Sequence, residues 1–179
     1  MGITIREIIL SDYEAVWKME GQVHRLHSEN RPDIFQKMDS PLTEQAFRKT
    51  LEDKNQIALL AEENGTAAAY CIVTLRPPSK NPMLIPRTAA WMEELCVCEE
   101  YRRRGIGNLL FREACRRAKM LHAESMELMV INQGGHIVTT SVGFAPDETQ
   151  AMPDYNSALA SPDDYGAWMG KLRSGERVM

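Results

Sequence analysis

The sequence predicts an α/β (α+β) domain with a central mixed, mainly antiparallel sheet flanked by helices. Three observations carry this reading. An Asn64-Gly65 turn, a strong two-residue hairpin signal, joins two apolar runs. A β-branched run near the N-terminus is followed by apolar residues at helical spacing. Around residues 95–121 a strand, a basic glycine turn and an amphipathic helix follow one another directly. No internal repeat, low-complexity segment or linker divides the 179 residues, so 1–179 reads as one domain.

The elements follow in order. Ile3 to Ile9 is the first strand. Ser11 or Asp12 caps a helix whose stripe is Ala15, Val16, Met19, Val23 and Leu26, broken at Asn30-Arg31-Pro32-Asp33. Residues 31–42 read as loop. Thr43 caps a second helix that buries Phe47 and Leu51. Gln56–Glu62 and Thr66–Arg76 are the hairpin strands. Four prolines between 77 and 86 make an irregular loop, and Thr88–Cys98 is the fourth strand. The next helix carries the stripe Ile106, Leu109, Leu110, Ala114, Ala118 and Leu121, with basic residues opposite. Ser125–Ile131 is a fifth strand. Gly134–Val142 reads as a short helix weakened by Gly135 and three β-branched residues, and Gly143-Phe144 begins another extended segment. Ser161-Pro162-Asp163-Asp164 starts a last helix with Tyr165, Trp168, Met169 and Leu172 on one face. That stripe predicts packing on the sheet or association, with a homodimer favoured.

Composition narrows the function. The net charge is −4 and the pI about 5.6, which argues against a general nucleic-acid binder. No apolar run is long enough to span a membrane. Cys71, Cys96, Cys98 and Cys115 lack zinc-type spacing and read as free thiols of a cytoplasmic protein, with no metal expected. Basic residues crowd one segment of an acidic body: Arg102, Arg103, Arg104, Arg112, Arg116, Arg117 and Lys119. A local positive patch of this kind suits a small polyanion.

That segment is the centre of the chain. Gly105 and Gly107 remove side chains where the backbone turns or a ligand approaches. The following helix aims its unpaired N–H groups and positive dipole end at the same turn, which makes an anion site. A Rossmann fingerprint would need a third glycine where Leu110 stands. A P-loop would need Gly-Lys-Ser/Thr where Asn108-Leu109-Leu110 follows the second glycine.

The pattern Arg102-x-x-Gly105-x-Gly107, after Glu93-Glu94-Leu95-Cys96-Val97 and before an amphipathic helix, resembles the acyl-CoA-binding motif of the GNAT superfamily of N-acyltransferases. Asn132, followed by Gly143-Phe144, resembles that family's Asn…Gly-Phe segment. The resemblance covers residues 3–146, which it marks as the core, and leaves 147–179 as an extension. It implies an acetyl-CoA-dependent N-acetyltransferase, with acetyl-CoA as co-substrate and direct attack by an amine in a ternary complex. The backbone of Leu95, Cys96 and Val97 would pair with the pantetheine arm. Arg102 and the amides of Arg103, Arg104, Gly105, Ile106, Gly107 and Asn108 would hold the pyrophosphate, and Asn132 would touch the pantetheine region.

Alternation along the fourth strand groups Trp91, Glu93, Leu95 and Val97 on one face. Members of the resembled family often place a base or a water-relay residue on that face, so the resemblance makes Glu93 the candidate base, acting directly or through water, and Glu94, pointing the other way, is second. Where family members carry a tyrosine as general acid, this chain has Thr139. Water, Ser141 or His136 could protonate the thiolate, or no acid is needed; the alternative is a non-catalytic acyl-CoA-binding sensor or assembly module. The acceptor, a small-molecule or peptide amine, would lie against Glu20, His24, His27, Glu29, Asp33, Phe35 and the loop 77–87, whose carboxylates favour a cation. Arg112, Arg116, Arg117 and Lys119 read as a wet helix face, Cys96 and Cys98 as packing thiols, and the four histidines as ordinary ones.

Overall fold

A computed structural model of the chain describes residues 2–131 and 137–144. Its elements are β1 (Ile3–Glu7), α1 (Tyr13–Asn30), α2 (Glu44–Glu52), β2 (Gln56–Glu63), β3 (Thr66–Arg76), β4 (Ala89–Val97), α3 (Ile106–Met120), β5 (Ser125–Ile131) and β6 (Ile137–Gly143). The six strands form one sheet in sequence order. Every neighbouring pair is antiparallel except β4 with β5, which are parallel and joined through α3.

Local chemistry explains the boundaries. Asn64 and Gly65 both take positive φ, 53° and 79°, the pair of left-handed residues that a tight hairpin requires. Thr43 Oγ1 accepts from the Ala46 amide at 3.1 Å and starts α2. Asp12 does not cap α1 as expected. Its carboxylate instead accepts from the Ile9 amide at 2.8 Å and from Arg6 at 2.7 and 2.8 Å, bracing a short 3-10 turn ahead of the helix. Arg6 reaches Glu62 at 2.6 Å as well, tying β1 to β2.

Two cores sandwich the sheet. On one face α3 buries Ile106, Leu110, Phe111, Ala114, Cys115 and Ala118 against Leu59, Ala61, Ala69, Cys71, Val73, Ala90 and Met92. On the other, α1 and α2 bury Val16, Met19 and Phe47 against Leu60, Tyr70, Ile72 and Cys96. Burying each such Leu or Phe is worth about 1.5–3 kcal/mol.

Four expectations are corrected. The buried face of α3 includes Phe111 and Cys115, while Leu109 and Leu121 stay about half exposed. Small Ala114 and Ala118 let this face approach the sheet, and that sets the helix's rotation. Leu26 of α1 is exposed. Residues 137–143 are a strand paired with β5, not a short helix, and Gly143 ends that strand. Ile137, Val138, Thr139 and Thr140 favour extended backbone because their branched side chains are stiff at χ1. Alternation along β4 is broken too. Ile72 faces Glu94 and Val73 faces Met92, so Glu93 is an extra residue in a bulge. Ala90 and Met92 point to the α3 side and Cys96 to the α1 side, which puts Trp91 on the opposite face from Val97. Asn132, His136 and the stripe Tyr165, Trp168, Met169 and Leu172 lie outside the described residues.

Candidate active site

β4 and β5 separate part-way along their length. Their parallel pairing runs from Ala89 with Ser125 to Met92 with Leu128 and ends there. Beyond it β4 stays with β3 as far as Val97, and β5 stays with β6. The segment Glu93–Val97 therefore turns an edge without a strand partner towards a wedge in the sheet. The bulge at Glu93 sits where the strands part, and bulges bend a strand and increase its local twist. A cavity of about 540 Å³ fills the wedge. It reaches Glu20, Tyr70 and Glu94 on the α1 side and Gly107, Asn108 and Phe111 on the α3 side. A larger hollow of about 730 Å³ lies along α1, lined by Trp17, Lys18, Arg25 and Lys37, and touches neither β4 nor α3.

On the α3 side the wall is main chain. The turn into α3 runs through Arg103 at φ 60° and Gly105 at φ 76°. A Cβ built on Gly105 meets nothing within 4 Å, so the space before the helix is open. Gly107 serves packing instead, because a Cβ there would stand 3.2 Å from Val97 Cγ2. The Leu109 amide bonds back along the chain to the Gly105 carbonyl at 3.1 Å, and the start of α3 carries the positive end of the helix dipole.

The arginines of the turn are mostly occupied by the protein. Arg104 pairs with Glu63 at 2.9 Å, donates to the Glu100 carbonyl at 2.9 Å and lies over Tyr101. Arg102 Nε donates to the Val97 carbonyl at 3.1 Å, a group expected to face the pantetheine arm. Among the described residues Arg103 has no side-chain partner. Further along, Arg116 and Arg117 pair with Glu113, and Arg112 donates to Asn108 Oδ1 at 2.9 Å.

On the α1 side the wall is side chains. Leu95 lies partly exposed in the cavity, whereas Cys96 is buried, donates to the Met19 carbonyl at 3.3 Å and has its thiol pushed up to about 12 by burial. Cys96 thus contributes backbone to the wedge and its sulfur to packing. His24 Nε2 is 2.6 Å from the Gln36 carbonyl, and Phe35 sits between His24 and His27 with ring centroids 6.3 and 5.1 Å away. Burial and the neighbouring His24 hold His27 below its ordinary value. Among the described residues no group of three or more metal-ligating side chains stands together.

Glu93 is exposed on the rim and lies 3.8 Å from Arg76, which itself stacks 4.0 Å over Trp91. Glu94 is half-buried, and the Tyr70 hydroxyl donates to its Oε2 at 2.6 Å. Burial pushes the Glu94 carboxyl up, and the Tyr70 bond opposes that. Burial first, and the charge of Glu94 second, push Glu20 up to about 7. Glu20 Oε2 is buried without a hydrogen-bond partner among the described residues. The pairing of Glu20 with Tyr70 and Glu94 was not foreseen from sequence. Two signals were there: one large polar ring within Ala67-Ala68-Ala69-Tyr70-Cys71, and a carboxylate between the stripe residues Met19 and Val23.

The sequence matches the acetyltransferase (GNAT) family over residues 6–144, and the chain belongs to that family. No curated protein matches it in sequence. Among solved structures it is similar to a mutant of the BH1408 protein from Bacillus halodurans, at 25% identity and TM-score 0.67, over 98% of this chain and 94% of that one. An acetyltransferase from Vibrio fischeri aligns at 18% identity and TM-score 0.58, over 70% of this chain and 93% of that one. The PaiA N-acetyltransferase from Thermoplasma acidophilum, in complex with coenzyme A, aligns at 17% identity and TM-score 0.54, over 75% and 82%. The last two likenesses are of fold. Among the described residues no helix is long and apolar enough to cross a membrane.

Proposed function

We propose that the protein transfers an acetyl group from acetyl-CoA to a primary amine by direct attack in a ternary complex. The observation that carries this is the wedge. One cavity links the open mouth of α3 to a pocket lined, among the described residues, by the carboxyls of Glu20, Glu93 and Glu94 and by no lysine or arginine. The wedge suits a thioester entering from the α3 side and an amine from the α1 side. The amides of Arg103 to Asn108 would hold the diphosphate, and the free edge at Leu95 would pair with the pantetheine arm. The coenzyme A held by the Thermoplasma protein supports the cofactor assignment. Bound acetyl-CoA supplies an activated acyl group. The chain's own work is to bind and orient it, exclude water and take the proton of an ammonium. Acidic lining favours a cationic acceptor, a small-molecule or peptide amine. Asn132 keeps its expected role beside the arm as part of this proposal.

Calorimetry with acetyl-CoA and CoA tests binding, and thiol release over a panel of primary amines tests transfer. Micromolar binding with turnover on at least one amine is expected. Absence of binding would overturn the reading, and binding without turnover on any amine would leave a cofactor-binding module.

A further inference from the structure

We infer that Glu20 of α1, rather than a carboxylate of β4, is the base of this site, and that it works as one unit with Glu94 and Tyr70. The inference rests on the acetyl-transfer reading above. Both carboxyls line the cavity where it passes through the sheet. Tyr70 donates to Glu94 Oε2 at 2.6 Å, which occupies that oxygen as an acceptor and favours the Glu94 carboxylate against the pull of burial. Glu20 has a buried oxygen with no donor among the described residues. A buried, unpartnered carboxylate oxygen is costly for folding. It is understandable where the missing donor is the ammonium of the acceptor.

The alternatives are less well placed. Glu93 stands exposed at the rim, within an ion pair's reach of Arg76. Glu94 already holds the Tyr70 proton donor. Among the described residues the charged and titratable groups interacting with Glu20 are Glu94 and Cys96 from β4 and Tyr70 from β3. His24 and His27, on the same helix, line the same cavity. Burial pushes both carboxyls up, Glu20 to about 7, and only Glu94 has a hydrogen bond from Tyr70 to oppose it.

The step balances simply. The acceptor's ammonium gives one proton to the Glu20 carboxylate and becomes a neutral amine. Its lone pair forms the N–C bond as the C–S bond breaks, and the CoA sulfur leaves with that electron pair. The second proton lost by nitrogen meets the thiolate charge, and Glu20 later returns its proton to water. One proton is released overall.

The test uses the full chain with Glu20→Gln, Glu20→Asp and Glu93→Gln. Carboxyl-carbon NMR of the free protein needs no acceptor. One glutamate should titrate near neutral pH, and that signal should be missing from Glu20→Gln. With acetyl-CoA and the best amine of the panel, kcat/KM of the wild type should fall as pH drops through the same midpoint. Glu20→Gln should lose about 100-fold or more and flatten that limb, Glu20→Asp should restore part of it, and acetyl-CoA affinity should not change. A Glu20→Gln enzyme with the wild-type pH profile, or a limb that disappears in Glu93→Gln instead, overturns the inference while leaving the acetyl-transfer reading intact. So does an NMR titration with no glutamate near neutral. Loss of acetyl-CoA binding in the wild type fails the reading itself.

Discussion

The α3 side of the cavity is walled by main chain, and the α1 side by side chains. On the first, the groups proposed to work are helix amides and a strand edge, and residue identity matters where a side chain must be absent. Gly105 supplies a left-handed φ before open space, and Gly107 lets the helix approach Val97. On the second, Glu20, Tyr70 and Glu94 come from three elements, and each contributes a functional group. Under the proposed function, such a division would let one side hold a fixed cofactor while the other varied with the acceptor.

The largest expected effect breaks the main-chain side alone. Gly105→Val places a β-branched residue at φ 76°, at a cost of about 1–3 kcal/mol in backbone strain. Its side chain also enters the open space before the helix. Acetyl-CoA affinity measured by calorimetry should drop about 100-fold or more, equivalent to about 2.7 kcal/mol. The near-neutral glutamate titration should persist. If both vanish together, the two sides are not separable.

The next effect concerns stability on the side-chain side. Glu20 is pushed from 4.5 to about 7 in the folded protein, chiefly by burial. A raised carboxyl favours the folded state while protonated, so its contribution is present below about 4.5 and lost as pH rises through about 7. Glu20→Gln should therefore raise thermal stability at about pH 8, by roughly 1 kcal/mol after solvent screening, and leave it unchanged at about pH 4. Gaining stability while losing activity is the mark of a functional strain.

The two sides also differ in how they appear in the sequence. The α3 side was legible because its information is local. Arg102, Gly105 and Gly107 lie within six consecutive residues, after a strand and before a helix. The Asn64-Gly65 hairpin was legible for the same reason, and β3 ends where its pattern ends. The α1 side depends on register. One extra residue at Glu93 reverses the faces of β4 and brings Glu94 to Tyr70, and no local pattern in Trp91–Val97 announces it. The rotation of α3 was likewise set by packing. Phe111 and Cys115 went inward and Leu109 outward because the alanine face fits the sheet.

A smaller effect weighs charge against main chain in the cofactor turn. Among the described residues Arg103 has no partner, while Arg104 is held by Glu63 and Glu100. Arg103→Ala should weaken acetyl-CoA binding about 3- to 10-fold at low salt, and less at high salt. Arg104→Ala should cost mainly thermal stability, by about 0.5 kcal/mol. A loss for Arg103→Ala as large as that for Gly105→Val would make the site one of side-chain charge after all.

The smallest effect tests whether the polar face of α3 belongs to the scaffold. Hydrogen bonds from Arg116 and then Arg117 pull Glu113 down to about 2. A depressed carboxyl stabilises the fold above its unfolded value of about 4.5 and loses that contribution as pH falls towards about 2. The Glu113 side chain is about one-fifth exposed and Arg116 lies mostly in solvent, so Glu113→Gln should cost about 1 kcal/mol or less at neutral pH and nothing at about pH 2, read from thermal melts. Acetyl-CoA affinity and kcat should be those of the wild type, because Arg117 keeps its pair with Glu7 at 2.8 Å and neither arginine lines the cavity. Tighter acetyl-CoA binding in Glu113→Gln would mean that these cations reach the cofactor once released. The main-chain mouth of α3 would then share its work with the helix's outer face.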